Sequence, residues 1–360
     1  MGAENRLAGL RALIAEQGAG ALVSLDPSAN AWIAGFHGST SAVIVTASRA
    51  VLLVDFRYAE QAETQRAPGV EMVVVEGSLE TRAGEWLDAL DAGTALFEPD
   101  RMSVTRRDAV ADAFSGEFRP APALVDGLRQ RKDAGETAAI RRACAIAEES
   151  LLEVVRGLRA GVTERETAAL LEYEFKRRGA RRPSFDTIVL FGARSSLPHG
   201  VPGGNPLKSG DLVLVDCGCE VDGYCSDLTR TWVYGRISAP WVEEIHRVTL
   251  EAQEAALAAV RAGVRAADVD AAARGVITRA GYGPRFGHGT GHGVGLEIHE
   301  SPRLNPQSAA VLAAGMAVTI EPGIYLPGQG GVRIEDLVVV TEDGCDVLTT
   351  IPKQLQVLNE

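Results

Sequence analysis

Two hydrophobic periods alternate along the first third of the chain. Leu7, Leu10, Leu13 and Ile14 recur at helical spacing, while Ala21–Ser24, Ala42–Thr46, Val51–Asp55 and Val70–Val75 are short apolar runs of the kind that build strands. Helical patterns also cover Tyr58–Gln65, Leu79–Leu90 and Val104–Phe114. The alternation predicts a small α/β domain with a mixed sheet over residues 1–125. The segment Pro120–Asp133, with Pro122, Gly127 and a basic run, reads as the connection, and the linker is placed at 126–134. Asp133 and Glu136 have the spacing of a capping box for the helix that opens the second domain, 135–360.

The second domain repeats itself. Arg159-Ala160-Gly161-Val162 recurs as Arg261-Ala262-Gly263-Val264, each between two amphipathic helical stretches. Gly210–Gly218 then matches Gly315–Gly323 position for position, which aligns Asp216 with Glu321. Each half supplies a second acid, Asp227 in Ser-Asp-Leu-Thr-Arg and Glu335 in Val-Arg-Ile-Glu-Asp. Two copies of a helix-plus-strands unit related by an approximate two-fold axis bring these four carboxylates to one point. Such a cluster does not stay ionised when buried unless something compensates it, and divalent metal is the simplest compensation.

Between the two repeated acids lies Gly287–Glu300, which holds three of the six histidines. His288 and His292 are four apart, but the alternating glycines make a helix costly there. An extended segment is predicted, in which both imidazoles share a face and the glycines let backbone approach whatever lies in the site. One neutral imidazole with four carboxylates suits a pair of Mn²⁺, Co²⁺ or Zn²⁺ ions, whose chemistry is hydrolytic. The glycines do not fit the dinucleotide-binding spacing.

Composition removes other classes. A length of 360 residues with 46% hydrophobic content suits a two-domain globular protein, and a net charge of −12 argues against nucleic-acid or anionic-membrane surfaces. No uncharged apolar run approaches a membrane span, and the N-terminal residues lack a signal core, so a cytoplasmic location is expected. Five scattered cysteines read as reduced thiols. Cys217 and Cys219 suggest a soft-metal site, but strand alternation turns them away from Asp216 and favours packing. His246, beside Glu243 and Glu244 on a predicted helix, reads as solvated.

These residues resemble the pita-bread-fold dinuclear metallopeptidases, which comprise methionine aminopeptidases, Xaa-Pro aminopeptidases and prolidases, and the resemblance covers nearly the whole chain. It implies an α+β protein: a duplicated αββ catalytic domain with a pseudo-two-fold axis, preceded by a smaller creatinase-like α/β domain. It implies that Asp216 holds one of two divalent metals, that His292 and Glu321 hold the other, and that Asp227 and Glu335 bridge them. Glu321 also takes a proton from a hydroxide-forming water between the metals, and His199 and His299 face the substrate, where they stabilise the tetrahedral intermediate or shuttle protons. His288, Tyr325, Arg333 and Thr229 resemble pocket or supporting residues, with Arg333 fixing a bridging carboxylate. The N-terminal domain singles out the Xaa-Pro branch, acting on peptides with proline second. Gly35-Phe36-His37-Gly38-Ser39 tips the choice towards an aminopeptidase over the alternative, a prolidase restricted to dipeptides. A catalytically silent binding protein of the same fold is the further alternative. Mn²⁺ as the metal, a homodimer, and His37 lining the active site of a dimer are further expectations from the resemblance.

Overall fold

A computed structural model describes residues 3–359. The chain divides into two compact units between Arg129 and Gln130. The first is a six-stranded sheet in the order β4-β3-β2-β1-β5-β6, made of β1 (Ala21–Ser24), β2 (Ala42–Thr46), β3 (Ala50–Val54), β4 (Glu71–Val74), β5 (Thr94–Phe97) and β6 (Glu117–Pro120). Strands β1, β2 and β3 pair antiparallel, while β4, β5 and β6 join in parallel, so the sheet is mixed. Every residue of β1, β2 and β3 is buried, as their unbroken apolar runs require. Helices α1 (Ala3–Glu16), α2 (Pro27–Ala34), α3 (Ala59–Gln65), α4 (Leu79–Ala89), α5 (Val104–Ala113) and α6 (Leu124–Arg129) complete the unit.

Three of these elements escape the periodicity. Helix α2 is short but fully signalled, with Asp26 accepting the Ala29 N–H at 2.8 Å, Pro27 in the first turn and Gly35 at φ 72°. Strands β5 and β6 have four residues each, too few for a period to show. The expected connecting segment contains a helix of its own. Leu124–Arg129 forms α6, whose free Val125 N–H is capped from a distance by Glu98 Oε1 at 2.9 Å.

The second unit opens with α7 (Ala134–Arg156), and the Asp133–Glu136 capping box is formed in both directions, at 2.9 and 2.8 Å. There follow α8 (Glu164–Arg177), β7 (Arg182–Pro183), β8 (Ile188–Phe191), β9 (Leu212–Cys217), β10 (Cys219–Val221), β11 (Tyr224–Cys225) and β12 (Leu228–Tyr234). The second half comprises α9 (Pro240–Ala259), α10 (Ala266–Arg279), β13 (Gly291–Gly293), β14 (Glu300–Leu304), β15 (Ala317–Ile320), β16 (Gly323–Leu326), β17 (Gly330–Arg333) and β18 (Asp336–Val340). The repeat is conformational as well as sequential. Gly161 and Gly263 have φ of 88° and 81°, Gly210 and Gly315 have 93° and 89°, and β9–β12 and β15–β18 are both antiparallel pairs. Helices α9 and α10 pack on one side of the second half, and Cys217 and Cys219 lie fully buried in the core of the first. His246 is not solvated: it sits at 3% exposure in α9, on the stripe of Val242, Ile245, Thr249, Ala252 and Gln253 that faces inward.

Candidate metal centre and cavity

Each half of the duplication places one carboxylate at the end of a strand and another just before the strand paired with it. Asp216 lies in β9 opposite Thr229 of β12, and Asp227 immediately precedes β12. Glu321 follows β15, and Glu335 precedes β18, whose Asp336 pairs with Ile320. The fifth group comes from β13, which pairs with β14 on one side and β15 on the other. The glycines of that stretch have a second role beside the one expected, since Gly289 and Gly291 line the cavity described below. A Cβ on Gly291 would fall 1.9 Å from the Thr319 carbonyl oxygen and one on Gly293 2.3 Å from that of Ser301, so their smallness also lets neighbouring backbones meet.

Asp227, His292 and Glu335 each offer a ligand atom within 4.8 Å of the others. His292 Nε2 also stands 3.6 Å from Asp227 Oδ2 and 3.3 Å from Glu321 Oε1. The other ring nitrogen, Nδ1, lies 3.0 Å from the Gly293 carbonyl oxygen and so must carry the proton it donates there. Thr319 accepts the His292 N–H at 3.0 Å and donates to Glu321 Oε1 at 3.1 Å, fixing both residues from behind. Arg333, buried, donates to Asp216 Oδ2 at 2.5 Å, to Thr229 Oγ1 at 3.0 Å and to the Tyr325 hydroxyl at 2.9 Å. Thr229 in turn donates to Glu335 Oε2 at 2.7 Å. Arg333 therefore holds Asp216 directly and reaches Glu335, one of the two acids expected to bridge, through Thr229.

The electrostatics show a site short of positive charge. Burial pushes Asp227 well above the usual carboxylate range and the neighbouring Glu335 adds to it; burial, with Glu321 adding, does the same to Glu335. Asp216 is raised by burial, against the pull of Arg333. Burial opposes ionisation of Glu321 too, but the hydrogen bond and charge of His292, with His288 and Arg333, hold it down at about 2. Asp216 Oδ1 is buried and has no hydrogen-bond partner. That orphaned oxygen, the excess of carboxylates and the His292 Nε2 turned towards Asp227 and Glu321 fit a site for divalent cations.

All five proposed ligands line one cavity of about 640 Å³, together with His199, His288, His299 and Arg333. Burial, with His292 nearby, drops His299 to about 4, so its imidazole is neutral at neutral pH. The His292 and His299 rings meet edge to face at 4.5 Å. His288 is lowered by burial; its Nδ1 faces the Gly289 carbonyl at 2.8 Å, so Nε2 accepts from the Tyr325 hydroxyl at 2.9 Å. Thr229 and Tyr325 stand behind the wall of the cavity, and His37 is not among its lining residues. His37 lies in the first unit, its N–H donating to Gln65 Oε1 at 3.1 Å. Two charged lining residues were not foreseen, Asp186 and Arg303. Arg303 is paired in register with His292 across β13 and β14, and its exposed side chain makes no ion pair among the described residues. The signal for it was the alternation of Glu300–Leu304, whose exposed positions are Ser301 and Arg303.

A duplicated α/β unit converging on four carboxylates and an imidazole defines a hydrolase of the pita-bread architecture. Residues 138–342 match metallopeptidase family M24 and residues 6–131 match the Creatinase/Prolidase N-terminal domain, and the chain belongs to family M24. It is 39% identical to the structure of an Xaa-Pro dipeptidase from Bacillus anthracis, with a TM-score of 0.95 over 99% of this chain and 100% of that one. The X-Pro aminopeptidase structure from Thermotoga maritima is 36% identical, with a TM-score of 0.91 over 98% and 99% of the two chains. The Xaa-Pro dipeptidase of Pyrococcus furiosus is 44% identical over 66% of this chain and 68% of its own.

Proposed function

We propose that this protein is a metal-dependent Xaa-Pro dipeptidase. The observation that carries the reading is Arg303, a guanidinium without an anionic partner among the described residues, directly across the strand pair from His292. Paired residues in antiparallel strands turn their side chains to the same face, and Arg303 lines the same cavity as the carboxylate cluster, so it offers a partner there for a substrate's terminal carboxylate. A dipeptide carries its terminal carboxylate one residue from its scissile bond; a longer peptide carries it farther away. This reading displaces the aminopeptidase preference drawn from the sequence, and the dipeptidases among the relatives support it.

Asp216, Asp227, His292, Glu321 and Glu335 would hold two divalent cations. When bound, these supply Lewis acidity, which acidifies a water nucleophile and polarises the scissile carbonyl. Glu321 would accept the proton of that water at its carboxylate. His299, neutral, would donate an N–H to the oxygen that gains charge at the attacked carbonyl, and His199 would act from its own loop on the same group. Arg333 and Thr229 keep Asp216 and Glu335 in place, and His288 with Tyr325 shapes the wall. We further propose Mn²⁺ as the cation, a cytoplasmic homodimer as the working form, and a substrate contact for His37. Unchanged dipeptide and tripeptide kinetics in His37→Ala would remove that contact.

The aminopeptidase reading keeps one supporting observation, the likeness to the Thermotoga maritima enzyme. A panel of Xaa-Pro dipeptides and Xaa-Pro-Yaa tripeptides with Mn²⁺, Co²⁺ and Zn²⁺ separates the two. Turnover confined to dipeptides is expected; tripeptide turnover at equal kcat/KM sinks the dipeptidase reading, and no turnover of either sinks the enzyme reading.

A further inference from the structure

The two halves of the catalytic unit begin alike and then differ at one buried position. Gly161 and Gly263 both take the left-handed conformation and donate their N–H to the carbonyls of Leu207 and Leu312, at 2.9 and 2.8 Å. Thr163 and Arg265 then form equivalent antiparallel bridges to Pro206 and Val311. The next residue is Glu164 in the first half and Ala266 in the second, both at 0% exposure. The duplicated fold itself therefore does not require a carboxylate there, and one that is desolvated without need is costly unless it holds something.

Glu164 holds the segment that carries His199. Its Oε1 accepts the Phe191 N–H at 2.9 Å, its Oε2 accepts the Gly203 N–H at 2.9 Å, and Arg194 Nε donates to both oxygens at 3.0 Å. Arg194 continues outward to donate to the Val201 carbonyl at 2.7 Å. One carboxylate thus ties both ends of residues 191–203, and its arginine straps the far limb. Pro198, His199, Gly200, Val201 and Pro202, all within this loop, line the cavity. The His199 ring makes no hydrogen bond among the described residues, so its direction is set by the backbone that carries it.

We propose that Glu164, acting through Arg194 and the two loop ends, is a positioning residue that aims His199 at the substrate. The proposal rests on the reading of the cavity as a peptidase site in which His199 touches the reacting group. A displacement of about 1 Å at such a group costs on the order of a hundredfold in rate, so a loosened loop shows mainly in kcat.

The test uses metal-loaded enzyme in four forms: wild type, E164Q, H199A and the double variant. R194M, altered at a half-exposed position, serves as a second probe of the strap should E164Q fold poorly. E164Q is expected to lower kcat at least tenfold, to change KM about twofold or less, and to keep its metal, because no proposed ligand lies in the loop. In the H199A background the same change is expected to alter kcat by less than twofold. An equal loss of kcat in both backgrounds overturns the proposal, because the carboxylate would then act without His199. A readout independent of turnover is the His199 ring NMR signal, assigned by its disappearance in H199A from the six histidines of the chain. E164Q and R194M are expected to move that signal and leave that of His246 in place; an unmoved His199 signal overturns the proposal. Should the wild type hydrolyse no Xaa-Pro dipeptide while the signal moves, the functional reading fails and the positioning stands.

Discussion

The most informative single residue is Arg333, because it is the only guanidinium donating into the carboxylate cluster among the described residues. Its donors diverge to Asp216, Thr229 and Tyr325, a fork that an ammonium on a flexible stem cannot reproduce. Arg333→Lys keeps the charge and loses the geometry. Metal content and kcat/KM are expected to fall together by tenfold or more, and a variant with full metal content and activity would remove Arg333 from the supporting role. Arg303 makes the opposite case, a cation whose job lies with the substrate. Arg303→Met is expected to raise the dipeptide KM about tenfold or more, through loss of a charge-assisted pair of roughly 1.5–3 kcal/mol, with metal content unchanged. Equal KM values for the variant and wild type would cancel the dipeptide argument.

At the scale of elements, helix α9 carries a pH dependence that its sequence hides. Burial lowers His246 from 6.5 to about 4, so the folded chain resists a proton that the unfolded chain accepts. The stabilisation is complete above pH 6.5 and is lost as the pH falls from there towards 4; near pH 5 the loss amounts to about 2 kcal/mol. His246→Gln is therefore expected to flatten the fall in melting temperature between pH 7 and pH 5, and parallel profiles for the two proteins would show that the buried imidazole is not responsible. Glu98 in the first unit has the opposite sign. Burial, with Asp126 nearby, raises it to about 7, so the stability it contributes is present below pH 4.5 and lost as the pH rises towards 7. Neither group was legible in the sequence, for one reason: burial is a property of packing, and Glu243 and Glu244 beside His246 suggested a wet face while the inward stripe was set by the turns on either side. What was legible is what repeats. The strands Ala21–Ser24 and Ala42–Thr46 stand where their apolar runs end, and the aligned Asp216 and Glu321 lie at the ends of corresponding strands because the duplication fixes both sequence and register. Arg303 and Glu164 escaped because each takes its meaning from a neighbour distant in sequence, His292 across a ladder and the loop ends at Phe191 and Gly203.

At the scale of the whole molecule, the centre is a place where the fold spends stability on function. Four carboxylates converge while one guanidinium donates among them, and burial pushes up both Asp227, with Glu335 adding, and Glu335, with Glu321 and Asp216 adding. A cation bound by the folded chain and not by the unfolded one returns that stability by mass action, about 2.7 kcal/mol when its free concentration is a hundred times its dissociation constant. In a unit of this size that corresponds to roughly 5–10 °C in melting temperature. Stripped protein titrated with Mn²⁺ is expected to show a rise of this order, saturating with concentration. Glu335→Gln keeps the shape of the side chain and its acceptor oxygen for Thr229 while removing the charge, so its stripped form is expected to melt at or above the wild-type value, relieved of repulsion. The same variant is expected to lose most of the Mn²⁺-dependent rise. The two shifts have opposite signs in one protein, which separates loss of a ligand from damage to the fold: a variant that melts lower without metal but gains as much from Mn²⁺ as wild type would place Glu335 in the structure and take it out of the metal site.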